Sequence, residues 1–461
     1  MFAVLGLGEV VARLIGFAGT VYVARRLGAD VYGVVAVAAA IVLYCSHIAD
    51  YSIEVLGARA IAMDPGAVDA LTPPLVIARL AMAMLCIGAL SFAGLFFLPR
   101  PDGVMLAVTS LTLLAVAGST RFVFLGIERP AAVAAARVAG ELLALALVVG
   151  LVHASADMAV VPLARVVGDG ALVLILAVRL RALGYPLRLR GARAVVRPIF
   201  TSASPLVVHA ILGLAIFNSD LLFLRVLKDA RTAGMYAAAY TLISFLLNLG
   251  VTYGNSLLPA LAREGADDME PAGQRVLFDH AMIQVLTVAL PVAAGGCVLA
   301  GGLMELVFGS RYSGAVPALQ LLIWSIVAAW VRNVVQMGLI AHNRQAFVLR
   351  TSVWSAVANL ALNLTLIPRY GMLGAAAATV ATEILRTVVA LVYSARIGLP
   401  FGVTQRMWRP VLASTAMAAL LRFVPMPGVL VAMVAGMAVY GAVLVATGGV
   451  RFAAWRPSLH V

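Results

Sequence analysis

The chain has 461 residues, 63% of them hydrophobic and 11% charged, whereas a soluble domain carries about 25% charged residues to face water. That composition excludes a soluble domain and makes lipid the solvent. At roughly 20 residues per crossing, a dozen or more membrane spans fit. The formal net charge of +13 does not point to nucleic acid, because the basic residues form no cluster on a soluble element with aromatic platforms.

The apolar runs predict an all-α polytopic membrane protein of about fourteen helices. The spans fall near 3–24, 31–54, 75–98, 104–127, 131–152, 159–178, 204–225, 235–257, 281–301, 315–341, 346–367, 372–395, 409–424 and 428–447. The first apolar stretch runs on to ARRLGAD without a small-residue cleavage site, so it reads as a helix and not as a signal peptide. Connections are short; the longest, near 55–74 and 262–280, leave no room for a soluble domain. Pro291 is expected to kink span nine. Gly374, Ala378 and Thr382 make a small-residue stripe for close packing on span twelve. Cys45, Cys86 and Cys297 sit in apolar runs and read as small core residues.

Arginine placement sets the orientation. With the N-terminus in the cytoplasm, the cytoplasmic connections hold 17 Lys+Arg and the external ones 8, counting Arg350, Arg409 and Arg422 of the adjoining spans with the connections. The stretch 179–197 carries Arg179, Arg181, Arg188, Arg190, Arg193 and Arg197 without an acid. It reads as a cytoplasmic linker between an N-terminal lobe (1–178) and a C-terminal lobe (198–398), with residues 399–461 adding two helices and a tail. Residues 126–152 align without gaps on 341–367 and match Arg129 with Arg344; a similar offset pairs Asp169 with Glu383 and Gly184 with Gly398. Six helices per lobe give both lobes the same orientation, which predicts a parallel repeat.

No phosphate-cradling Gly-Lys-Ser/Thr loop, HExxH or cysteine pair at metal spacing occurs, so no catalytic residue, metal or cofactor is expected. GLGEVV near Gly6 lies within a span with no strand before it. Charges inside the spans carry more information, because each costs roughly 2.5–3.5 kcal/mol to insert. Apart from Arg350, Arg409 and Arg422, which are counted with the connections, eight arginines lie there (Arg13, Arg79, Arg121, Arg137, Arg165, Arg225, Arg332, Arg386) with the acids Glu9, Asp50, Glu141, Asp169, Asp220 and Glu383. Glu9 with Arg13, Arg137 with Glu141, and Arg165 with Asp169 are four apart, and Glu383 with Arg386 three, which sets each pair on one helix face. Four such pairs favour a polar interior over self-neutralised pairs facing lipid. Arg79 and Arg121 lie near the cytoplasmic ends of their spans, within snorkelling reach, and Arg225 lies near the external side. Arg332 is deep with no local acid, and Asp50 and Asp220 lack a partner at three or four residues.

Several stretches resemble the polysaccharide (O-antigen) flippase branch of the multidrug/oligosaccharidyl-lipid/polysaccharide exporter superfamily. They are ARRLGADVYGVVAV (24–37), ADYSIEVLGARAIA (49–62), LKDARTAGMYAAAYTL (227–242), LVFGSRYSGAVPALQLL (306–322), LIAHNRQAFVLRT (339–351) and NLTLIPRYGMLGAAAATVATEI (363–384). The resemblance implies a two-lobed inner-membrane transporter that makes and breaks no bond. It moves a polyprenyl-pyrophosphate-linked oligosaccharide between leaflets by alternating access, alongside glycan polymerase and export machinery. On that reading Arg13, Glu9, Arg121, Arg137 and Arg332 are the substrate-binding candidates, and Asp50, Asp169, Asp220 and Glu383 the coupling-ion or gating candidates. A cation-coupled multidrug exporter and a lipid II-type flippase of the same superfamily are the alternatives.

Overall fold

A computed structural model describes residues 2–185, 207, 218–266, 271–342, 344–398 and 406–449. The rest of the basic stretch (Arg188, Arg190, Arg193, Arg197) and the first part of span seven lie outside them. Among the described residues the chain is helical throughout, and its contacts divide it into two compact units, Met1–Ala237 and Ala238–Val461.

The first unit begins with α1 (Phe2–Asp50), which carries spans one and two. Gly28 (φ 76°, ψ 168°) breaks its course, a backbone conformation that glycine adopts without steric cost. Then come α2 (Ile53–Met63), α3 (Val68–Phe97), α4 (Arg100–Ser110), α5 (Thr112–Gly118), α6 (Arg121–Gly126), α7 (Pro130–Leu151) and α8 (Val160–Ala182). Residues 218–227 form α9, and α10 (Ala230–Ala266) runs on past the division. The connection expected at 55–74 is largely helical, because α3 starts seven residues early and runs through Pro73 and Pro74. Span four is three short helices, α4 to α6.

Within this unit α7 packs on α8 and α1, α3 on α4, and α2 on α6. In lipid such packing rests on close contact of small residues, since apolar side chains gain nothing by leaving the bilayer. The glycines show it. A Cβ on Gly8 would stand 2.5 Å from Ala134 Cβ, and one on Gly168 2.5 Å from the Gly140 carbonyl oxygen. Gly33 and Gly234 meet backbone to backbone: a Cβ on either would stand 1.9 Å from a carbonyl oxygen, of Ala230 and Ala29 respectively. An apolar core of Ile53, Ile61, Leu75, Phe122, Phe124, Leu176 and Leu180 fills the end of the unit that carries the α2–α3 and α6–α7 connections. Cys86 is buried, Cys45 and Cys297 half-buried, and all three thiols are free.

The second unit continues with α11 (Pro271–Val298), α12 (Ala300–Phe308), α13 (Val316–Leu322), α14 (Trp324–Ala341), α15 (Gln345–Tyr370), α16 (Met372–Arg396), α17 (Trp408–Phe423) and α18 (Val429–Ala446). Helix α11 runs through Pro291, and helices α10 and α11 occupy most of the connection expected at 262–280. Helix α16 packs on α15, α14 and α13, and α17 packs on α11 and α18. The small-residue stripe performs as expected: a Cβ on Gly374 would stand 2.3 Å from the Leu366 carbonyl oxygen, and Ala378 and Thr382 are fully buried.

Ten segments among the described residues are long and apolar enough to cross a membrane, and the first, Gly6–Met63, holds two spans. The remaining predicted spans have plain reasons for missing that mark. Span seven lies mostly outside the described residues, α15 is diluted by Asn359, Asn363, Arg350 and Arg369, and α17 is 16 residues long. Length and apolarity together make this a polytopic helical membrane protein. Backbone geometry is alike at the positions paired in the sequence. The backbone N–H of Arg129 donates to Phe124 O at 2.8 Å ahead of α7, and that of Arg344 to Leu339 O at 2.8 Å ahead of α15. Gly184 and Gly398 both close their helices with positive φ, 84° and 77°.

Candidate functional site

The charged residues of the first unit meet because glycines let their helices meet. Gly140 and Gly168 bring α7 and α8 into backbone contact, and each has an acid next in sequence, Glu141 and Asp169. Helix α1 lays Gly16 beneath Glu141, where a Cβ would come within 3.2 Å of Oε2. The result is a continuous ion-pair chain. Arg137 Nε stands 3.3 Å from Glu141 Oε1, Arg165 NH1 donates to Glu141 Oε2 at 2.7 Å, and Arg165 Nε donates to Asp169 Oδ2 at 2.9 Å. Two of the three pairs expected four residues apart form here, and Glu141 joins them across two helices.

A second group lies beside this chain. Arg79 is not at the interface but buried, 2% exposed. Its NH2 pairs with Asp50 Oδ1 at 2.7 Å, and it donates to the carbonyls of Ser119 (2.8 Å) and Val116 (2.6 Å). Those carbonyls are available because α5 ends at Gly118 and Ser119 turns extended; helix ends leave acceptors that must find donors elsewhere. Arg121 does not snorkel alone either. Its NH2 donates to Glu9 Oε1 at 2.8 Å, and its Nε stands 3.2 Å from Glu54 Oε1. The expected Glu9–Arg13 pair therefore does not form. Glu9 turns to α6, and Arg13 is exposed with no ion-pair partner among the described residues.

These groups surround a cavity of about 270 Å³, lined by Asp50, Glu54, Arg79, Arg121, Arg137, Arg165 and Asp169 together with Ser46 and His47. Arg13 is not part of its wall, and Glu9 reaches it through Arg121. A second cavity of about 270 Å³ adjoins Glu141 and Arg165 on their other side. Its lining is mostly apolar, with Ile15, Val23, Val35, Leu145 and Val148 among it.

Elsewhere in the unit, Arg225 forms a two-pronged pair with Asp102, Nε to Oδ1 at 2.8 Å and NH2 to Oδ2 at 2.6 Å, so it is held and does not simply reach for solvent. Asp220 is fully buried and accepts from Tyr236 Oη at 2.6 Å.

The second unit holds a smaller, drier cluster. Glu383 is 0% exposed. Its Oε1 accepts from Arg386 NH1 at 2.7 Å, the expected three-residue pair, and its Oε2 from Arg332 Nε at 3.1 Å. Arg332, which has no acid nearby in sequence, thus finds one 51 residues away, and its NH1 donates to Gln336 Oε1 at 2.6 Å. Asn363 donates to Asn359 at 2.9 Å on α15.

Of the residues predicted from sequence, Arg121, Arg137, Asp50, Asp169 and, behind Arg121, Glu9 come together at one cavity. Arg332 and Glu383 pair in the second unit; Asp220 and Arg13 lie outside both clusters. Sequence reasoning passed over Glu54, Arg165 and Glu141 as site residues. For the last two the signal was present, in two charge pairs of the same spacing on consecutive helices.

Comparisons with known proteins agree with this architecture. Residues 2–264 match the family described as "Polysaccharide biosynthesis protein". The chain is 24% identical over 213 residues to a probable low-salt glycan biosynthesis flippase, Agl15, of Haloferax volcanii. That match covers 46% of this chain and 45% of the relative, so the chain spans under half the length of that curated protein. In fold it is similar to the lipid II flippase MurJ in an inward closed conformation, with a TM-score of 0.78 and 11% identity over 96% of this chain and 98% of that one. A multidrug resistance MATE family transporter of the MOP superfamily, in an inward-facing conformation, gives a TM-score of 0.65 and 15% identity over 84% and 94%.

Proposed function

This chain belongs to the polysaccharide biosynthesis protein family, and on that premise we propose that it is a flippase. Its cargo is a polyprenyl-pyrophosphate-linked oligosaccharide, moved by alternating access across the bacterial inner membrane with the N-terminus in the cytoplasm. The observation that carries this reading is the arginine-lined cavity of the first unit. Arg121, Arg137 and Arg165 all line it, and each is held from behind by a carboxylate on one or two of its nitrogens. Each retains at least one terminal nitrogen without a partner among the described residues. Guanidinium groups fixed in this way offer phosphate oxygens directed donors.

The network is not cationic as a whole: Arg79, Arg121, Arg137 and Arg165 face Glu9, Asp50, Glu54, Glu141 and Asp169. Attraction for an anion is therefore short-range, through aimed N–H groups, with exposed Arg13 adding charge four residues from Glu9. The same pairing disfavours a drug exporter that binds cations, because each of these five acids already touches an arginine.

Replacing Arg121 with alanine is expected to abolish surface glycan in a host that lacks its own flippase, with protein level and membrane insertion unchanged. Arg121→Lys should recover only part, since an ammonium lacks the planar fork of donors. Arg13→Ala should give a partial loss, as expected of a group beside the cavity and not in its wall. Wild-type glycan staining with Arg121→Ala would remove the binding role.

A further inference from the structure

Glu141 is the one carboxylate of the first unit's network that touches two arginines. It is 6% exposed, wedged over Gly16, and bounded on one side by the apolar cavity. Its charge is therefore balanced by the two guanidiniums and not by water. The two oxygens are divided between them, Oε1 to Arg137 and Oε2 to Arg165. One carboxylate thus fixes the spacing of two flexible side chains that line the same cavity. Arg137 meets it through Nε, leaving both terminal nitrogens uncommitted, and Arg165 leaves NH2.

We propose that Glu141 is a positioning residue that holds Arg137 and Arg165 as a paired clamp for two adjacent phosphate groups, so that the cavity selects a diphosphate over a single phosphate. The inference rests on the flippase reading and specifies which part of the cargo these residues recognise. A lone arginine meets one phosphate as well as another. Two arginines at a fixed separation reward a ligand that presents two phosphates at once, because the second contact costs little further ordering.

Purified full-length protein titrated calorimetrically with inorganic pyrophosphate and with orthophosphate tests this. Wild type should bind pyrophosphate the more tightly. Glu141→Gln, which keeps the shape and removes the charge that holds the arginines, should weaken pyrophosphate about tenfold or more, the scale of one charge-assisted hydrogen bond. Orthophosphate should change much less, so the ratio of the two affinities collapses. Arg137→Gln, at a partly exposed position, should collapse the same ratio and serves if Glu141→Gln does not fold. An unchanged ratio in the variants overturns the clamp while leaving the flippase reading intact. Equal loss of both anions also overturns it, since that is what mere structural damage produces. Failure of wild type to bind pyrophosphate would count against the flippase reading itself.

Discussion

Glu383→Ala is expected to destabilise the second unit by about 3–5 kcal/mol, the cost of stripping one partner from a buried ion pair. Glu383 is completely buried, and Arg332 and Arg386 are each 8% exposed. Without the carboxylate two guanidiniums share a dry space with only Gln336 to receive a hydrogen bond from Arg332. Glu383→Gln keeps an acceptor and should lose less. Replacing all three with apolar residues of similar size (Glu383→Leu, Arg332→Met, Arg386→Leu) should regain much of the loss, because burial of the charges then ceases to cost anything. Thermal melting in detergent, followed by size-exclusion chromatography, reads these differences. A Glu383→Ala protein that melts with wild type would mean that the two arginines reach polar surroundings on their own.

Gly168→Val is expected to cost stability and transport together. A Cβ there would stand 2.5 Å from the Gly140 carbonyl oxygen and 2.7 Å from Ala144 Cβ, so α7 and α8 must part. Overpacking of this kind costs about 1–3 kcal/mol, and parting the helices lengthens the 2.7 Å contact of Arg165 with Glu141. Gly170→Val, two residues along the same helix with nothing within 4 Å of its would-be Cβ, is the control and should be near neutral. Equal melting temperatures and equal glycan export for the two variants would show that the Gly140–Gly168 contact does not set the site.

These effects also mark where sequence reading ends. Spans were legible because apolar length is a local property, and Arg137–Glu141, Arg165–Asp169 and Glu383–Arg386 were legible because helical spacing is local too. Glu9 had the same spacing from Arg13 yet pairs with Arg121, 112 residues on. Spacing gives the face two residues share, not the direction in which packing turns that face. The rotation of α1 is set by the contact of Gly8 with Ala134 and of Gly16 with Glu141, which no single helix encodes. Arg79 misled for a related reason. Its acceptors are carbonyls freed where α5 stops at Gly118, and a break inside an apolar run leaves little trace in hydropathy. Asp50 and Arg332 lacked partners only within their own helices.

The central claim is lipid-linked glycan translocation through the arginine-lined cavity. Its most direct test is transbilayer movement in vesicles containing only the purified protein and a fluorescent polyprenyl-pyrophosphate-linked oligosaccharide, with a membrane-impermeant quencher reporting the exposed leaflet. Wild-type vesicles should expose the inner-leaflet pool far faster than protein-free vesicles, and Arg121→Ala vesicles should fall back to the protein-free rate. Equal rates with and without wild-type protein, or full-speed movement by Arg121→Ala, would contradict the account.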